Sequence, residues 1–387
     1  MTAASKCAIV CGAGYVSGKE VMALQLAKGL AASGWEVEFI VSSWNDGDFA
    51  SRLLLGRVPF CELPIGFISA SLSWRYLRMT LEQAWRIPQL WSGYSRFLAR
   101  FTPRLVVHSN LHHLLLLFPF LRPSRDVFWS HEIFPALPHY RRLFRVFQAR
   151  VGSFICASEA VARSLLALGV APGRVHVVRN GISDPSDPSV TPMRGRRSTL
   201  EPLQVGIVGQ IGEWKGHADL IAAMGILIRK GIPLELTMFG RGAEPYVSEL
   251  RSQIRENKLD GVVHWRGFVA DRKDIYDALD VCVVPSRFEE PFGLTALEPA
   301  FFSRPVIATR RGGLPEIVRH EETGLLVDSE SPQQIAAALL RLFEDDDLRV
   351  RLGRAARARA VEEFSGARFI AEFTDRLREV ESRSVCW

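Results

Sequence analysis

The 387-residue chain is 48% hydrophobic and 23% charged, a composition typical of a soluble globular protein, and its length favours two domains over one. Its longest apolar run, LLLLFPFL at 114–121, is far shorter than the roughly 20 residues of a membrane-spanning helix, so we predict a buried helix or strand there. The six cysteines include no CxxC pair, which argues against a disulfide framework or a zinc site. No basic and apolar leader is visible, so the sequence predicts a cytoplasmic protein.

The net charge of +6 is concentrated in one aromatic-rich segment, residues 51–150, which holds 14 basic and 4 acidic residues. Arginines interleaved with aromatic residues suit an anionic membrane surface, an acidic acceptor or nucleic acid. They are equally compatible with amphipathic helices whose arginines are solvated. Because no nucleic-acid motif accompanies the charge, we predict no nucleic-acid partner.

Short apolar runs alternate with helical patterns along the chain, which is typical of βαβ units and a parallel sheet. In the first half, the predicted strands are CAIVC, EVEFIV, RLVVHS, DVFWSH, SFICAS and VHVVRN. Prolines and serines then interrupt the pattern at 186–202 and predict a linker. After the linker, the predicted strands are LQVGIVG, LELTMFG, VVHWRGF, VCVVPS, PVIATR and GLLVD.

The predicted fold class is therefore α/β, with two doubly wound Rossmann-like domains facing an interdomain cleft. The first domain is predicted at 1–185 and the second at 203–365, and a C-terminal helix at 366–387 is expected to pack back on the first. Ligands of such sheets bind at the carboxyl ends of the strands.

The glycine-rich turn CGAGYVSGKE at 11–20 resembles two phosphate-binding motifs without completing either. A P-loop needs a hydroxyl after its lysine, but Glu20 follows the lysine here. A dinucleotide fingerprint needs glycine where Ser17 stands. Backbone amides of such turns bind anions whatever the motif, which favours contact with an anionic group, and a tight turn that binds no ligand is the alternative.

Two glutamates, Glu290 and Glu298, flank the start of a predicted helix after the strand VCVVPS. Paired carboxylates accept hydrogen bonds from neighbouring hydroxyls, which suits a hydroxyl-rich ligand, and a glycosidase would also use such a pair. The helix start adds backbone amides that bind phosphate, which a glycosidase does not need. These amides belong to Phe292, Gly293, Leu294 and Thr295.

Lys215 begins the helix after the strand LQVGIVG, where its ammonium group suits a diphosphate. The E-x7-E spacing of Glu290 and Glu298, with PFGL between them, resembles the family-4 retaining glycosyltransferases. The segments VVRNGI, VGQ…KG, GFVADRKDIYDALDVCVVPS and GGLPEIV…TGLLV resemble that family as well. The resemblance covers nearly the whole chain and implies the two-domain GT-B fold.

This resemblance implies a role for each matching residue. Glu298 would bind the ribose hydroxyls of a nucleotide-sugar, Glu290 a hydroxyl of the donor sugar, and Lys215 the diphosphate. His131, in WSHEIF, would lie beside the donor sugar. The turn after the first strand would contact the diphosphate through Gly12, Gly14 and Gly18, and the helix start through the amides of Phe292, Gly293, Leu294 and Thr295.

Three positions depart from the family pattern. Gln210 stands where the family usually has arginine, Pro299 where alanine is commoner, and Ser303 where glycine is usual. We expect Lys215 to carry more of the missing phosphate charge, with Arg241 or Arg287 as neighbouring cations. Pro299 is expected to kink its helix unless it lies in the first turn.

The resemblance implies a hexosyltransferase that retains the anomeric configuration and needs neither a cofactor nor a metal. The acidic DGD at 46–48 is accordingly interpreted as a turn. The acceptor would be a glycan or lipid-linked molecule of cell-envelope polysaccharide or glycolipid synthesis, reached at the inner face of the membrane. The alternatives are a non-catalytic homologue that binds nucleotide-sugar or membrane, an epimerase, a phosphorylase and a nicotinamide oxidoreductase.

Overall fold

The computed structural model describes residues 4–12, 16–43, 46–68, 73–185 and 201–384. Gly14, residues 186–200 of the predicted linker and residues 385–387 lie outside this part of the chain. The chain divides into two compact units. Unit 1 comprises Met1–Ile182 and Gly366–Trp387, and unit 2 comprises Ser183–Ser365.

Unit 1 is a parallel sheet in the order β3-β2-β1-β4-β5-β6-β7, with helices in the connections. Its strands are β1 (Lys6–Cys11), β2 (Glu36–Ser42), β3 (Phe60–Leu63), β4 (Leu105–His108), β5 (Asp126–Ser130), β6 (Ser153–Cys156) and β7 (Val175–Val177). Its helices are α1 (Gly18–Ala32), α2 (Asp48–Leu55), α3 (Trp74–Phe101), α4 (Leu111–Leu116), α5 (Pro138–Phe147), α6 (Glu159–Ala167) and, at the end of the chain, α14 (Gly366–Ser384).

Unit 2 is a second parallel sheet, in the order β10-β9-β8-β11-β12-β13. Its strands are β8 (Leu203–Val208), β9 (Leu234–Phe239), β10 (Val263–Gly267), β11 (Val281–Val284), β12 (Val306–Thr309) and β13 (Gly324–Val327). Its helices are α7 (His217–Ile228), α8 (Glu244–Glu256), α9 (Arg272–Tyr276), α10 (Leu294–Phe301), α11 (Leu314–Ile317), α12 (Pro332–Glu344) and α13 (Asp346–Glu363).

The apolar runs of the sequence form the centre of both sheets. β1 is buried from its second residue onward, and β4, β5, β11 and β12 are buried throughout. Such continuous burial follows because helices cover both faces of a parallel sheet. The predicted α/β fold with two doubly wound units is confirmed, and the predicted strands form parallel ladders.

The structure shows the backbone conformation at two of the positions that depart from the family pattern, Pro299 and Ser303. Pro299 is the sixth residue of α10, not part of its first turn, and the helix continues to Phe301. Ser303, two residues after the helix, has a φ of 57°, a left-handed conformation that glycine adopts with less strain. The family's usual glycine at this position therefore matches the backbone that Ser303 adopts.

The apolar run at 114–121 lies in and just after α4, with its leucines at 114, 116, 117 and 121 buried. Asp46 accepts a hydrogen bond from the backbone of Asp48 at the start of α2, the turn expected for DGD. No helix among the described residues is long and apolar enough to cross a membrane.

Candidate active site

Lys215 and Glu290 contact each other directly in unit 2. Lys215 Nζ donates a hydrogen bond to the Glu290 carboxylate, and both side chains are largely buried. Ser286 Oγ donates to the same carboxylate oxygen over 2.8 Å. The two residues lie 75 positions apart in the sequence, and they meet because β8 and β11 are adjacent strands whose following loops share one edge. The structure thus brings these two predicted site residues together.

Gly216 fixes the backbone that carries Lys215. Its φ is 72°, and a Cβ added there would lie 1.9 Å from the carbonyl oxygen of Pro285. Only glycine fits both the left-handed conformation and this close approach. The lysine is therefore held against the loop that follows β11.

Arg287 and Asp219 hold the same two segments together. Arg287 Nε and Nη2 each donate to Asp219 over 2.8 Å, in the bidentate geometry of a strong charge-assisted pair. The Arg287 amide also donates to the carbonyl oxygen of Trp214 over 2.9 Å. Arg287 thus orients the loop that carries Glu290. Its guanidinium group is occupied by the ion pair with Asp219.

Glu298 lies on α10 and has two partners of its own. Tyr276 Oη donates to Glu298 Oε2 over 2.9 Å, and Arg272 Nε lies 2.9 Å from Glu298 Oε1. Burial and the adjacent carboxylate raise the pKa of Tyr276 well above its ordinary value, so its hydroxyl remains a hydrogen-bond donor. Tyr276 and Arg272 were not singled out from the sequence, although both lie in the family-like segment GFVADRKDIYDALD.

The backbone amides predicted to bind phosphate, those of residues 292–295, lie at the start of α10 and are called the amide cradle. Gly293 precedes the helix with a φ of 105°, and Leu294 and Thr295 are its first residues. Phe292 is buried, and its ring lies 6.0 Å from the ring of Phe364. Thr295 also approaches Gly209, at the end of β8, so this cradle and the strand before Lys215 are neighbours.

Gln210 is exposed directly after β8. Arg241 comes close to this segment, because its carbonyl oxygen accepts a hydrogen bond of 2.8 Å from the Ile211 amide. The Arg241 guanidinium lies over the ring of Phe268, 5.8 Å from its centre. Of the two arginines proposed to replace the missing charge, Arg241 is therefore the better placed, since Arg287 is paired with Asp219.

The predicted residues of unit 1 lie at the ends of its own strands. Gly12 follows β1 with a φ of 119°, and Gly18 is the first residue of α1. Glu20 is fully buried and accepts hydrogen bonds from the amide and the hydroxyl of Ser17, so it caps the helix. Glu20, the residue that breaks the P-loop pattern, therefore stabilises the start of α1 through its hydrogen bonds with Ser17.

His131 follows β5, and its ring centre lies 4.2 Å from that of Trp129. Burial, with a smaller contribution from the positive charge of Lys19, lowers the pKa of His131 to about 3. Its Nε2 atom is buried and has no hydrogen-bond partner among the described residues. In a neutral imidazole, a nitrogen without a partner can donate a hydrogen bond to a ligand hydroxyl or accept one from it, depending on the tautomer.

His217, the first residue of α7, gives a pH-dependent prediction. Burial lowers its pKa to about 4. Between that value and an ordinary histidine pKa of about 6.5, the unfolded chain binds the proton that the folded chain excludes. Stability is therefore lost as the pH falls through this window, by up to about 1.4 kcal/mol per pH unit for this group. Urea unfolding at pH 7 and pH 5 should show a smaller loss in His217→Leu than in the unsubstituted protein, and an equal loss would contradict this.

No group of three or more histidine, cysteine, aspartate or glutamate residues suited to a metal ion occurs in the described part of the chain. The positive group that contacts Glu290 is the ammonium group of Lys215.

Two family models match the chain in succession. Residues 16–184 match the Glycosyltransferase Family 4 model, and residues 194–359 match the model of Glycosyl transferases group 1. The chain is 36% identical over 199 residues to D-inositol 3-phosphate glycosyltransferase of Corynebacterium glutamicum, covering 48% of this chain and 47% of that protein. It is 29% identical over 262 residues to the amylovoran biosynthesis glycosyltransferase AmsK of Erwinia amylovora, covering 65% and 62%. The chain thus spans about half the length of the curated relatives it matches.

The fold resembles that of solved glycosyltransferases. Anabaena Alr3699/HepE, solved in complex with UDP and glucose, matches with a TM-score of 0.78 and 20% identity over 97% of this chain and 100% of that one. WaaG, a glycosyltransferase involved in lipopolysaccharide biosynthesis, matches with a TM-score of 0.70 and 16% identity over 95% and 98%. These neighbours share the GT-B fold of this chain, and the two family models, which together match residues 16–184 and 194–359, identify it as a member of the family-4 glycosyltransferases.

Proposed function

We propose that this chain is a retaining glycosyltransferase that moves a hexosyl group from a nucleoside-diphosphate-sugar to a glycan or lipid-linked acceptor. The observation that carries the proposal is the contact between Lys215 and Glu290 beside the amide-bearing start of α10. An ammonium group and helix amides suit a diphosphate, and an adjacent carboxylate suits a sugar hydroxyl. The UDP and UDP-glucose complexes of Alr3699/HepE support a donor of this class.

In the proposed reaction, the bond between the anomeric carbon and the phosphate oxygen breaks, and its electron pair leaves with the nucleoside diphosphate. The acceptor hydroxyl forms the new bond on the same face and gives its proton to the leaving phosphate oxygen. Lys215 and the amides of α10 stabilise the charge that develops on the diphosphate. No metal or cofactor is part of this proposal, because protein cations perform that task. Gly12, Gly18, Gln210 and His131 remain predicted donor contacts.

A screen of nucleotide-sugars tests the proposal. Uridine, guanosine and adenosine diphosphate sugars are added to the full chain, and one class should raise the melting temperature. That donor is then incubated with candidate acceptors, and NMR of the product should show an unchanged anomeric configuration. An inverted product would refute retention, and a donor changed only in its own stereochemistry would indicate an epimerase. Donor binding without turnover would instead favour a non-catalytic homologue, the alternative that Gln210 supports.

Glu298 is proposed to bind the ribose hydroxyls. Glu298→Ala should weaken binding of the free nucleoside diphosphate by about 10–100-fold, because hydrogen bonds to a charged group contribute about 1.5–3 kcal/mol. Tyr276→Phe should weaken it less and should reduce the preference for the ribonucleotide over its 2′-deoxy analogue, since Tyr276 orients the carboxylate. Calorimetry measures both effects, and Glu256→Ala, at the exposed end of α8, serves as the control. Unchanged affinity in Glu298→Ala would refute the assignment.

We further propose that the protein works in cell-envelope polysaccharide or glycolipid synthesis and associates peripherally with the inner face of an anionic membrane. The basic and aromatic segment at 51–150 supports this proposal. The AmsK and WaaG relatives are named for amylovoran and lipopolysaccharide biosynthesis, which is consistent with such a pathway.

A further inference from the structure

Helix α3 has apolar residues on two opposite sides. One side faces the interior of unit 1, where Leu90, Tyr94, Phe97 and Phe101 are buried. Gln83, also buried, lies on this side and donates to the carbonyl oxygen of Pro64 over 3.0 Å. These four apolar residues belong to a hydrophobic core cluster of unit 1 and pack the helix against its sheet.

The opposite side of the first half of α3 carries a second apolar row, which we call the outer stripe. It consists of Trp74, Leu77, Leu81 and Trp85, spaced at three and four residues, the repeat of one helix face. Their exposed fractions are 76%, 38%, 59% and 89%. The stripe extends about 16 Å along the helix. Exposed apolar rows of this size on a folded surface mark an interaction site.

Positive charge borders the outer stripe. Arg78 and Arg86 are exposed along one side of it, and Arg78 Nε donates to Glu82 over 2.8 Å. Over its whole length α3 has five arginines and one acidic residue. Tryptophan and leucine on one face with arginine at its margin is the pattern of helices that lie in a membrane interface.

A second copy of the chain is a poorer occupant than an anionic bilayer. Two outer stripes packed together would bring their arginine borders into the same contact, where like charges repel. Anionic headgroups would instead attract the net positive charge of α3, in which Arg78 is paired with the one acidic residue, Glu82, while the tryptophan and leucine side chains leave water. The charge of the border therefore favours lipid.

We propose that the outer stripe of α3 inserts into the boundary between headgroups and acyl chains of an anionic membrane, with the helix lying parallel to the surface. The inference deepens the membrane association proposed above and rests on it, and it names the contacting face. It places unit 1 on the bilayer, where a lipid-linked acceptor would be presented.

Vesicle binding of the full chain tests this inference. The vesicles contain phosphatidylcholine with about a third phosphatidylglycerol, and phosphatidylcholine alone serves for comparison. Leu81→Asn combined with Trp85→Gln should lower the partition coefficient for anionic vesicles at least tenfold. The matched control, Leu166→Asn combined with Val361→Gln, changes two exposed apolar residues on α6 and α13 and should bind like the unsubstituted protein. Equal losses in both double variants, or none in either, would overturn the proposal.

Charge and oligomeric state complete the test. Arg86→Glu should weaken binding to anionic vesicles more than Arg354→Glu on α13 does, and equal effects would contradict the assigned face. Gel filtration should show the same oligomeric state for the unsubstituted protein and the α3 double variant. A dimer that the double variant converts to a monomer would assign the stripe to a second copy instead. Nucleotide affinity, measured without vesicles, should be unchanged, so failure of membrane binding and failure of the transferase proposal are distinguishable.

Discussion

Lys215→Ala is expected to reduce sugar transfer by about 10²–10³-fold, the typical loss when one charge-stabilising donor is removed from an active site. The loss should be large here because Gln210 stands where the family usually has a phosphate-binding arginine. Lys215 would then carry most of the side-chain charge next to the leaving diphosphate. The measurement is kcat/KM with the donor identified by the nucleotide-sugar screen.

The matched control for this substitution is Lys230→Ala, which removes an exposed lysine just after α7. Its transfer rate should be close to that of the unsubstituted protein. A melting temperature recorded for both variants separates lost chemistry from lost folding. Near-normal turnover in Lys215→Ala would show that another cation neutralises the diphosphate, and Arg241 would be the first residue to test.

Glu290→Gln is expected to abolish transfer while tightening the binding of the free nucleoside diphosphate. The carboxylate that contacts Lys215 neutralises this cation and repels an incoming phosphate. Glutamine keeps the shape of the side chain and removes its charge, so Lys215 becomes available to the phosphates. A gain of up to about tenfold in affinity corresponds to about 1.4 kcal/mol.

Calorimetry with the free nucleotide and a transfer assay measure the two effects separately. Glu289→Gln provides the control, because its carboxylate is the neighbour in sequence but faces Arg311 and the Gly312 amide. This variant should change nucleotide affinity by less than Glu290→Gln does. Weaker nucleotide binding in Glu290→Gln would mean that the glutamate supports the phosphate site, contrary to the proposed division of roles.

The parallel sheets could be predicted because their strands are continuous apolar runs between turn residues. β1 and β12 are examples, where buried runs are followed by glycine-containing turns. The region between β2 and β4 was harder to read. Its basic and aromatic composition was compatible with amphipathic helices or with a membrane-facing surface. Because α3 has apolar residues on opposite sides, only the structure distinguishes its core side from the outer stripe.

Prediction of the candidate site from the sequence was limited in a similar way. Glu290, Glu298 and Lys215 could be proposed as site residues from local motifs and spacing, because strand ends and helix starts have recognisable sequences. Their partners depend on contacts between distant segments, and so the roles of Tyr276 and Ser286 were not foreseen. Arg287 was considered as a phosphate cation, but the bidentate pair with Asp219, 68 residues away, gives it a structural task.

The return of the chain to unit 1 through α14 has a consequence for synthesis and dissection of the protein. Phe369 and Phe373 of this helix pack on the buried Trp129, with ring centres 5.9 Å and 4.9 Å away, and Arg368 donates to the Arg179 carbonyl oxygen. A nascent chain therefore cannot complete this hydrophobic core until the ribosome has translated past unit 2. A fragment truncated after Ile182 would leave Trp129 uncovered, whereas unit 2 is continuous in sequence and has its full set of strands before α14 is made.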